Sequence, residues 1–185
     1  MEKTISKPMT NIRDICYIAI FTAIIAVMAQ ISIPLPAGVP LTLQTLAIPL
    51  AGIILGAKRG TMSTIVYILL AIAGVPVLAN FTGGAGVVFG VTGGFIISFP
   101  IMAFLAGLVA DKGIKSPWFW GGLVAGVLIN YLVGTVWFMF VAEASFEAAF
   151  TACVLPFLVT GLIKLVLSGI LGDRIKRALK KAGLL

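Results

Sequence analysis

The sequence predicts an all-α membrane protein, a bundle of six transmembrane helices with both termini cytoplasmic. Of its 185 residues 61% are hydrophobic and only 10% charged, with a mean hydropathy of +1.18; a soluble domain has about a quarter of its residues charged. Residues 15–57 and 60–110 contain no Asp, Glu, Lys or Arg, and each run exceeds two lengths of the roughly 20 residues that cross the hydrocarbon. The basic residues gather in short clusters between such runs, the arrangement that sets topology. Barrel strands would alternate polar and apolar residues over about 10 positions, and these runs do not.

Punctuation by Pro, Gly and charge divides the chain into spans at about 15–33, 41–57, 60–79, 92–110, 119–141 and 149–172. The first follows the polar start and ends at Pro34, Pro36 and Pro40. It has no small-residue cleavage site before that break, so it reads as a helix rather than a removed signal. The second, LTLQTLAIPLAGIILGA, is short and carries Pro49, which predicts a kinked or shielded helix. Lys58 and Arg59 separate it from the third. The fourth starts after a glycine-rich stretch and stops before Lys112 and Lys115. The fifth has Trp118 and Trp120 at its start, and the sixth runs into the basic tail DRIKRALKKAGLL. Residues 1–185 read as one integral membrane domain.

Charge orients the bundle. With six spans, Lys3, Lys7 and Arg13, then Lys58 and Arg59, then Lys112 and Lys115, then Arg174, Lys176, Arg177, Lys180 and Lys181 all fall on one side. The opposite connections, 34–40, 80–91 and 142–148, hold no Lys or Arg and only Glu143 and Glu147. An odd number of spans would scatter the basic clusters, so the positive-inside rule supports both the even count and cytoplasmic termini. The tail is expected to lie against anionic lipid or to contact a partner.

Composition also limits chemistry. The chain has no histidine, and Cys16 and Cys153 fall on opposite faces, so neither a metal site nor a disulfide is expected. The net charge of +7 is a topology signal, not the footprint of a nucleic-acid binder. A membrane enzyme is disfavoured because the spans hold no paired carboxylates and no convincing Ser–Lys arrangement; Ser168 follows Lys164 on the same helix, where its hydroxyl bonds most simply to backbone. No catalytic residue and no bound cofactor are expected.

Lys164, in VTGLIKLVLSG, is the one charge well inside a span. Burying it at mid-membrane costs about 2.5–3.5 kcal/mol on insertion scales. It must either snorkel to an interface or face the bundle interior, water or a bound anion, and no acid elsewhere in the spans is placed to pair with it. A small carboxylate would supply the missing charge. Residues 80–94, NFTGGAGVVFGVTGG, hold six glycines, Gly83 and Gly84 among them. That density suits either a flexible connection or a partly re-entrant loop whose backbone approaches a ligand. No GxxxxGK[ST] pattern is present, so this is not a nucleotide P-loop. The proline-punctuated connection ISIPLPAGVPLTLQ is expected to be semi-rigid, able to lie over a pocket. Thr42, Gln44, Asn80 and Thr82 offer uncharged donors and acceptors at the same outer end, suited to an amide-like or ureido group. Tyr131 and Asn130 sit where either an inward or an interfacial position is open to them, while Trp118, Trp120, Trp137 and Tyr17 read mainly as interface anchors. Ala19 with Ala23, Gly52 with Gly56 and Gly122 with Gly126 are spaced for close helix contact, within the chain or onto another membrane subunit.

The stretches AQISIPLP, PLTLQTLAIPLAGIILGAKRGTMS, IAGVPV, FGVTGGFIISFP and LPFLVTGLIK together resemble, in order and spacing, the BioY family, the biotin-binding S components of energy-coupling-factor vitamin transporters. The likeness runs over about residues 13–172. It implies a prokaryotic plasma-membrane protein that captures biotin at its outer face and carries no resident cofactor. Its first helix would dock onto a transmembrane coupling subunit driven by two cytoplasmic ATPases. The family's carboxylate-binding lysine falls on Lys164, its outer loop and second-helix start on residues 80–94 and Gln44, and its docking pair of small residues on Ala19 and Ala23. Two positions depart from the family's usual wording: Gly161 stands where an Asp is common, and Val91 where a Pro is. An S component for another small vitamin, or a stand-alone small-solute carrier, is the alternative; the spans contain no acid for a proton relay.

Overall fold

The computed structural model describes residues 11–35 and 38–185; Lys3, Lys7 and Pro36, used above, lie outside the described residues. Helix α1 is Ile12–Gln30. It runs into a two-residue strand, β1 (Ser32–Ile33), paired antiparallel with β2 (Leu41–Thr42) in register Ser32 to Thr42. Then follow α2 (Gln44–Ile72), a short α3 (Ala85–Val88), α4 (Gly93–Val109), α5 (Pro117–Val141), a short α6 (Phe146–Cys153) and α7 (Leu158–Lys181). Among the described residues five helices are long and apolar enough to span a membrane.

Helix α2 doubles back on itself. Gly56 has φ 82° and ψ 170° in its middle, and the amide of Gln44 lies 2.5 Å from the hydroxyl of Tyr67, although a straight helix would set these residues roughly 34 Å apart. The expected second and third spans are therefore the two arms of a hairpin whose turn is a single glycine. The arms touch through Gly52 and Gly60, where a Cβ on Gly60 would meet the Gly52 Cα at 2.6 Å. With α2 counted as two arms, six apolar helical segments result.

Other boundaries shift for local reasons. The first span stops at Gln30 because residues 32–33 pair with 41–42, so the second starts at Gln44 rather than 41. The third ends at Ile72 rather than 79, where Gly74 at φ 92° turns the chain out. The sixth begins at Leu158 rather than 149: a 3-10 turn over Leu155–Phe157, with Pro156 inside it, detaches α6 from α7. Pro49 and Pro100 are carried inside helices α2 and α4 without ending them.

Lipid tails are as apolar as leucine, so helices in a membrane associate by close packing and polar ties rather than by hydrophobic exclusion. Glycines supply the approach. A Cβ on Gly52 would strike the Ala103 carbonyl on α4, and one on Gly122 the side chain of Val109, with Gly126 in contact with Met102. These three pack within the chain, whereas Gly56, the partner expected for Gly52, is the turn, where a Cβ would meet nothing within 4 Å. Around them Ile25, Ile48, Tyr67, Phe99 and Met102 form the buried centre. Thr22 of α1 donates to the Ser63 carbonyl of α2 at 3.0 Å, a tie of the kind worth about 0.6 kcal/mol in a bilayer.

The basic corners meet on one face. Arg59 pairs with Asp14 at 2.6 Å, Lys176 and Lys180 reach Asp111 at 2.9 and 3.2 Å, and Arg177 pairs with Asp173 at 2.7 Å. Arg13 donates to the Gly183 carbonyl at 2.9 Å, and Tyr17 donates to the Leu184 carbonyl. The start of α1 and the end of α7 thus sit together at the α2 turn. Tyr17 is part of this tie and not a free interface anchor.

Candidate functional site

At the opposite end from the basic corner, the hairpin β1–β2, the start of α2, the connection 73–92 and the adjoining ends of α4, α5 and α7 enclose a cavity of about 400 Å³, within the range of small-molecule sites. The sequence builds it from irregular backbone. Pairing of Ser32 with Thr42 folds the proline-rich connection inward, placing Pro34, Leu35 and Val39 on the wall. Gln30, in the last turn of α1, donates its amide to the Val77 and Leu78 carbonyls at 3.2 and 3.0 Å and accepts from the Phe81 N–H at 2.8 Å. This side chain, which sequence reasoning missed, fastens the far connection to α1; its signal was a carboxamide at the end of an otherwise apolar helix.

The glycine-rich connection is ordered by packing. Gly83 lies so close to the Val75 carbonyl that a Cβ would collide with it, and Gly84 takes φ 95°. Both shape the turn and neither lines the cavity. Trp137 of α5 donates its indole N–H to the Gly90 carbonyl at 2.9 Å and lies where Cβ atoms on Gly93 and Gly94 would go. It pins the connection from within rather than anchoring at the membrane interface, as the sequence suggested. Trp120 likewise turns inward to the Ile114 carbonyl, at 2.9 Å, while Trp118 is exposed.

Five of the expected ligand residues, Lys164, Gln44, Asn80, Thr82 and Tyr131, come together on the cavity wall. Lys164 projects from α7, only 7% exposed, and donates to the Thr42 carbonyl at 2.7 Å and the Thr45 hydroxyl at 3.3 Å. Among the described residues it is the one formally charged side chain lining the cavity. Among the described residues no carboxylate pairs with it, and Asp173 is taken by Arg177. An ammonium has three N–H donors, so two are engaged and one, with the whole charge, remains for a ligand.

The neutral groups are held in place. Gln44 accepts from the Thr42 hydroxyl at 2.9 Å and donates to Tyr67, whose own hydroxyl donates to the Val77 carbonyl at 3.0 Å. Asn80, in the left-handed region at φ 57°, accepts from the Ser32 hydroxyl at 2.7 Å, which leaves its amide N–H groups for other partners. Thr82 donates to the Ala79 carbonyl at 2.8 Å, and Tyr131 to the Phe157 carbonyl at 3.1 Å. Phe95, Phe99 and Phe157 add apolar wall. Asn130, buried to 1% exposure, completes the lining beside them. The arrangement suits a small molecule with one anionic end, an apolar middle and a neutral polar end.

Ala19 and Ala23 stand elsewhere, on the exposed side of α1 with Ile20, Ile24 and Val27.

Comparison with known proteins gives the same picture. The chain is similar to the probable biotin transporter BioY of Pyrococcus horikoshii, 39% identical over 166 residues that cover 89% of this chain and 96% of that protein. It is 40% identical over 165 residues to the biotin transporter BioY of Thermotoga maritima, with the same coverage. Among solved structures it resembles the S-component for biotin from an ECF-type ABC transporter, with a TM-score of 0.79 and 31% identity over 92% of this chain and 95% of that one. The model of the BioY family matches residues 1–181, and this multi-pass membrane chain belongs to the BioY family.

Proposed function

We propose that this chain is the biotin-capturing S component of an energy-coupling-factor transporter in a prokaryotic plasma membrane. The observation that carries the reading is Lys164, a buried cation that among the described residues has no acidic partner and lines a cavity with no other charged residue. Biotin supplies the missing carboxylate. Its thiophane ring and valerate chain would lie against Phe95, Phe99 and Phe157. The ureido carbonyl would take an N–H from Asn80 beside Thr82. Gln44, flanked by the Thr42 and Thr45 that Lys164 bonds, and Tyr131, against Gly161, stand nearer the carboxylate end.

By the positive-inside rule the basic corner is cytoplasmic, so the cavity belongs to the outer half and loads from outside. Carrying biotin inward needs an energy source. A transmembrane coupling subunit and two cytoplasmic ATPases would supply it, the former docking on the exposed face of α1 at Ala19 and Ala23. This chain then contributes recognition and no catalysis of its own.

Calorimetry on the detergent-purified chain tests the reading. Wild type is expected to bind biotin tightly and to ignore riboflavin and thiamine, while Lys164→Ala loses biotin without losing its fold. Wild-type-like affinity in that variant would sink the carboxylate assignment, and binding of another vitamin in place of biotin would sink the ligand.

A further inference from the structure

Most polar groups on the cavity wall already have partners, which makes the unpartnered ones informative. Asn130 is 1% exposed. Its amide nitrogen donates to the Phe95 carbonyl at 2.9 Å and to the Ser98 hydroxyl oxygen at 2.7 Å. Ser98 directs its single proton at the Gly94 carbonyl, 2.8 Å away, sharing it with the Phe95 carbonyl at 3.0 Å, so its oxygen is left to accept. Both faces that Asn130 meets on α4 are therefore acceptors. A reversed carboxamide would set oxygen against oxygen, and the network admits one orientation.

With both N–H groups turned to α4, what remains is Oδ1. It has no partner among the described residues, yet it is not one of the fully buried oxygens left without a partner, which are those of Thr61 and Thr135. Asn130 lines the cavity, so this oxygen opens onto it. A buried carbonyl that cannot turn and cannot donate asks its ligand for a hydrogen-bond donor, which in a cyclic urea is an N–H. Lys164 and Asn130 reach the cavity from different walls, the former braced on the corner between β2 and α2, the latter on α4. The required ligand carries both an anionic group and a hydrogen-bond donor.

We propose that Asn130 Oδ1 accepts a hydrogen bond from a ureido N–H of the ligand, so that the site selects cyclic ureas over ring analogues of the same shape that lack the donor. This rests on biotin as the ligand. It assigns the N–H readout to α5 and leaves the ureido carbonyl to the glycine-rich connection, whose Asn80 amide supplies the complementary donor. Ser98 is a positioning residue, acting only through the orientation of the Asn130 amide.

The test uses the intact purified chain and two ligands, biotin and its analogue with one ureido N–H replaced by CH₂, taken as both regioisomers. Wild type is expected to bind at least one regioisomer about 10- to 100-fold more weakly than biotin, the cost of a buried acceptor left unmatched. In Asn130→Ala that discrimination should collapse to within about threefold, because the acceptor is gone for both ligands. Ser98→Ala, which keeps the acceptor but frees its amide to turn, should show an intermediate ratio, and it serves where Asn130→Ala does not fold. Equal affinity of wild type for biotin and both analogues overturns the proposal, as does a full wild-type ratio in a folded variant. No biotin binding by wild type would instead overturn the ligand itself.

Discussion

The hydroxyl of Tyr131 occupies the space that a Cβ on Gly161 would fill. It holds that place by donating to the Phe157 carbonyl at 3.1 Å, so α5 and α7 touch through a phenol where α7 has no side chain. An Asp three residues before Lys164, common in the family, has no room here beside Tyr131. Gly161→Ala is expected to push the ring into the cavity and to weaken biotin binding about 10-fold, of the order of 1–2 kcal/mol for overpacking. Tyr131→Phe combined with Gly161→Ala should recover most of that loss, since removing the hydroxyl vacates the contested space. Calorimetry on the two single variants and the double variant reads the coupling; strictly additive losses would mean that the two residues do not contend.

Lys164 should matter to the ligand far more than to the fold. Its ammonium is desolvated and braced by two neutral oxygens, so the empty site bears a desolvation cost that a carboxylate relieves. Replacing a poorly compensated buried charge by an apolar chain of similar length is often neutral or stabilising. Lys164→Met is therefore expected to bind biotin at least about 100-fold more weakly, given charge-assisted hydrogen bonds of about 1.5–3 kcal/mol each. Its ligand-free melting temperature should stay within a few degrees of wild type or rise. A large fall in melting temperature would make Lys164 a structural tie rather than a ligand group.

What the sequence disclosed was whatever depends on composition and on order along the chain. Lys164 stood out because a lone cation in an apolar run is costly wherever the helix points, and the basic corners because charge clusters count spans. The Gly56 reversal was hidden, since a turn of one residue leaves no polar stretch, and Lys58 with Arg59 only located it to within a few positions. Trp137 and Asn130 were misplaced or left undecided for a related reason. Each is defined by a partner more than 30 residues away, Gly90 or Ser98, and no local pattern encodes that pairing. Gly83 and Gly84 drew attention as ligand-lining backbone, but a glycine tolerated for a tight turn has the same spelling as one tolerated for a ligand.

The hairpin in α2 makes its own prediction. Gly60 faces the Gly52 backbone, and Gly56 sits at φ 82°. Gly56→Ala must hold an alanine at φ 82° and ψ 170°, a region essentially confined to glycine, at about 1–3 kcal/mol, while Gly60→Ala must pry two backbones apart. Lys58→Ala, exposed beside them, should have little effect. Thermal unfolding in detergent should rank the variants Gly60→Ala below Gly56→Ala below Lys58→Ala. A Gly60→Ala protein as stable as wild type would show that the arms do not close so tightly.

The basic face should give a pH-dependent stability of defined sign. The hydrogen bond from Lys176, at 2.9 Å, holds the Asp111 carboxyl below the usual carboxylate range, with Lys180 at 3.2 Å adding to it. A carboxylate whose folded pKa is depressed stabilises the fold above its unfolded pKa, near 3.9, and that contribution disappears as pH falls from there through the folded value. The Asp111 side chain is 76% exposed, so water and salt screen the pair, and its contribution belongs with surface ion pairs at about 0.2–1 kcal/mol. Asp111→Asn should therefore lower the melting temperature by about 1–3 °C at neutral pH. The difference should shrink in high salt and vanish once the acid is protonated in both states. A deficit that grew on acidification would have the wrong sign for a depressed carboxylate and would remove Asp111 from the contacts that fasten α7 to the loop between α4 and α5.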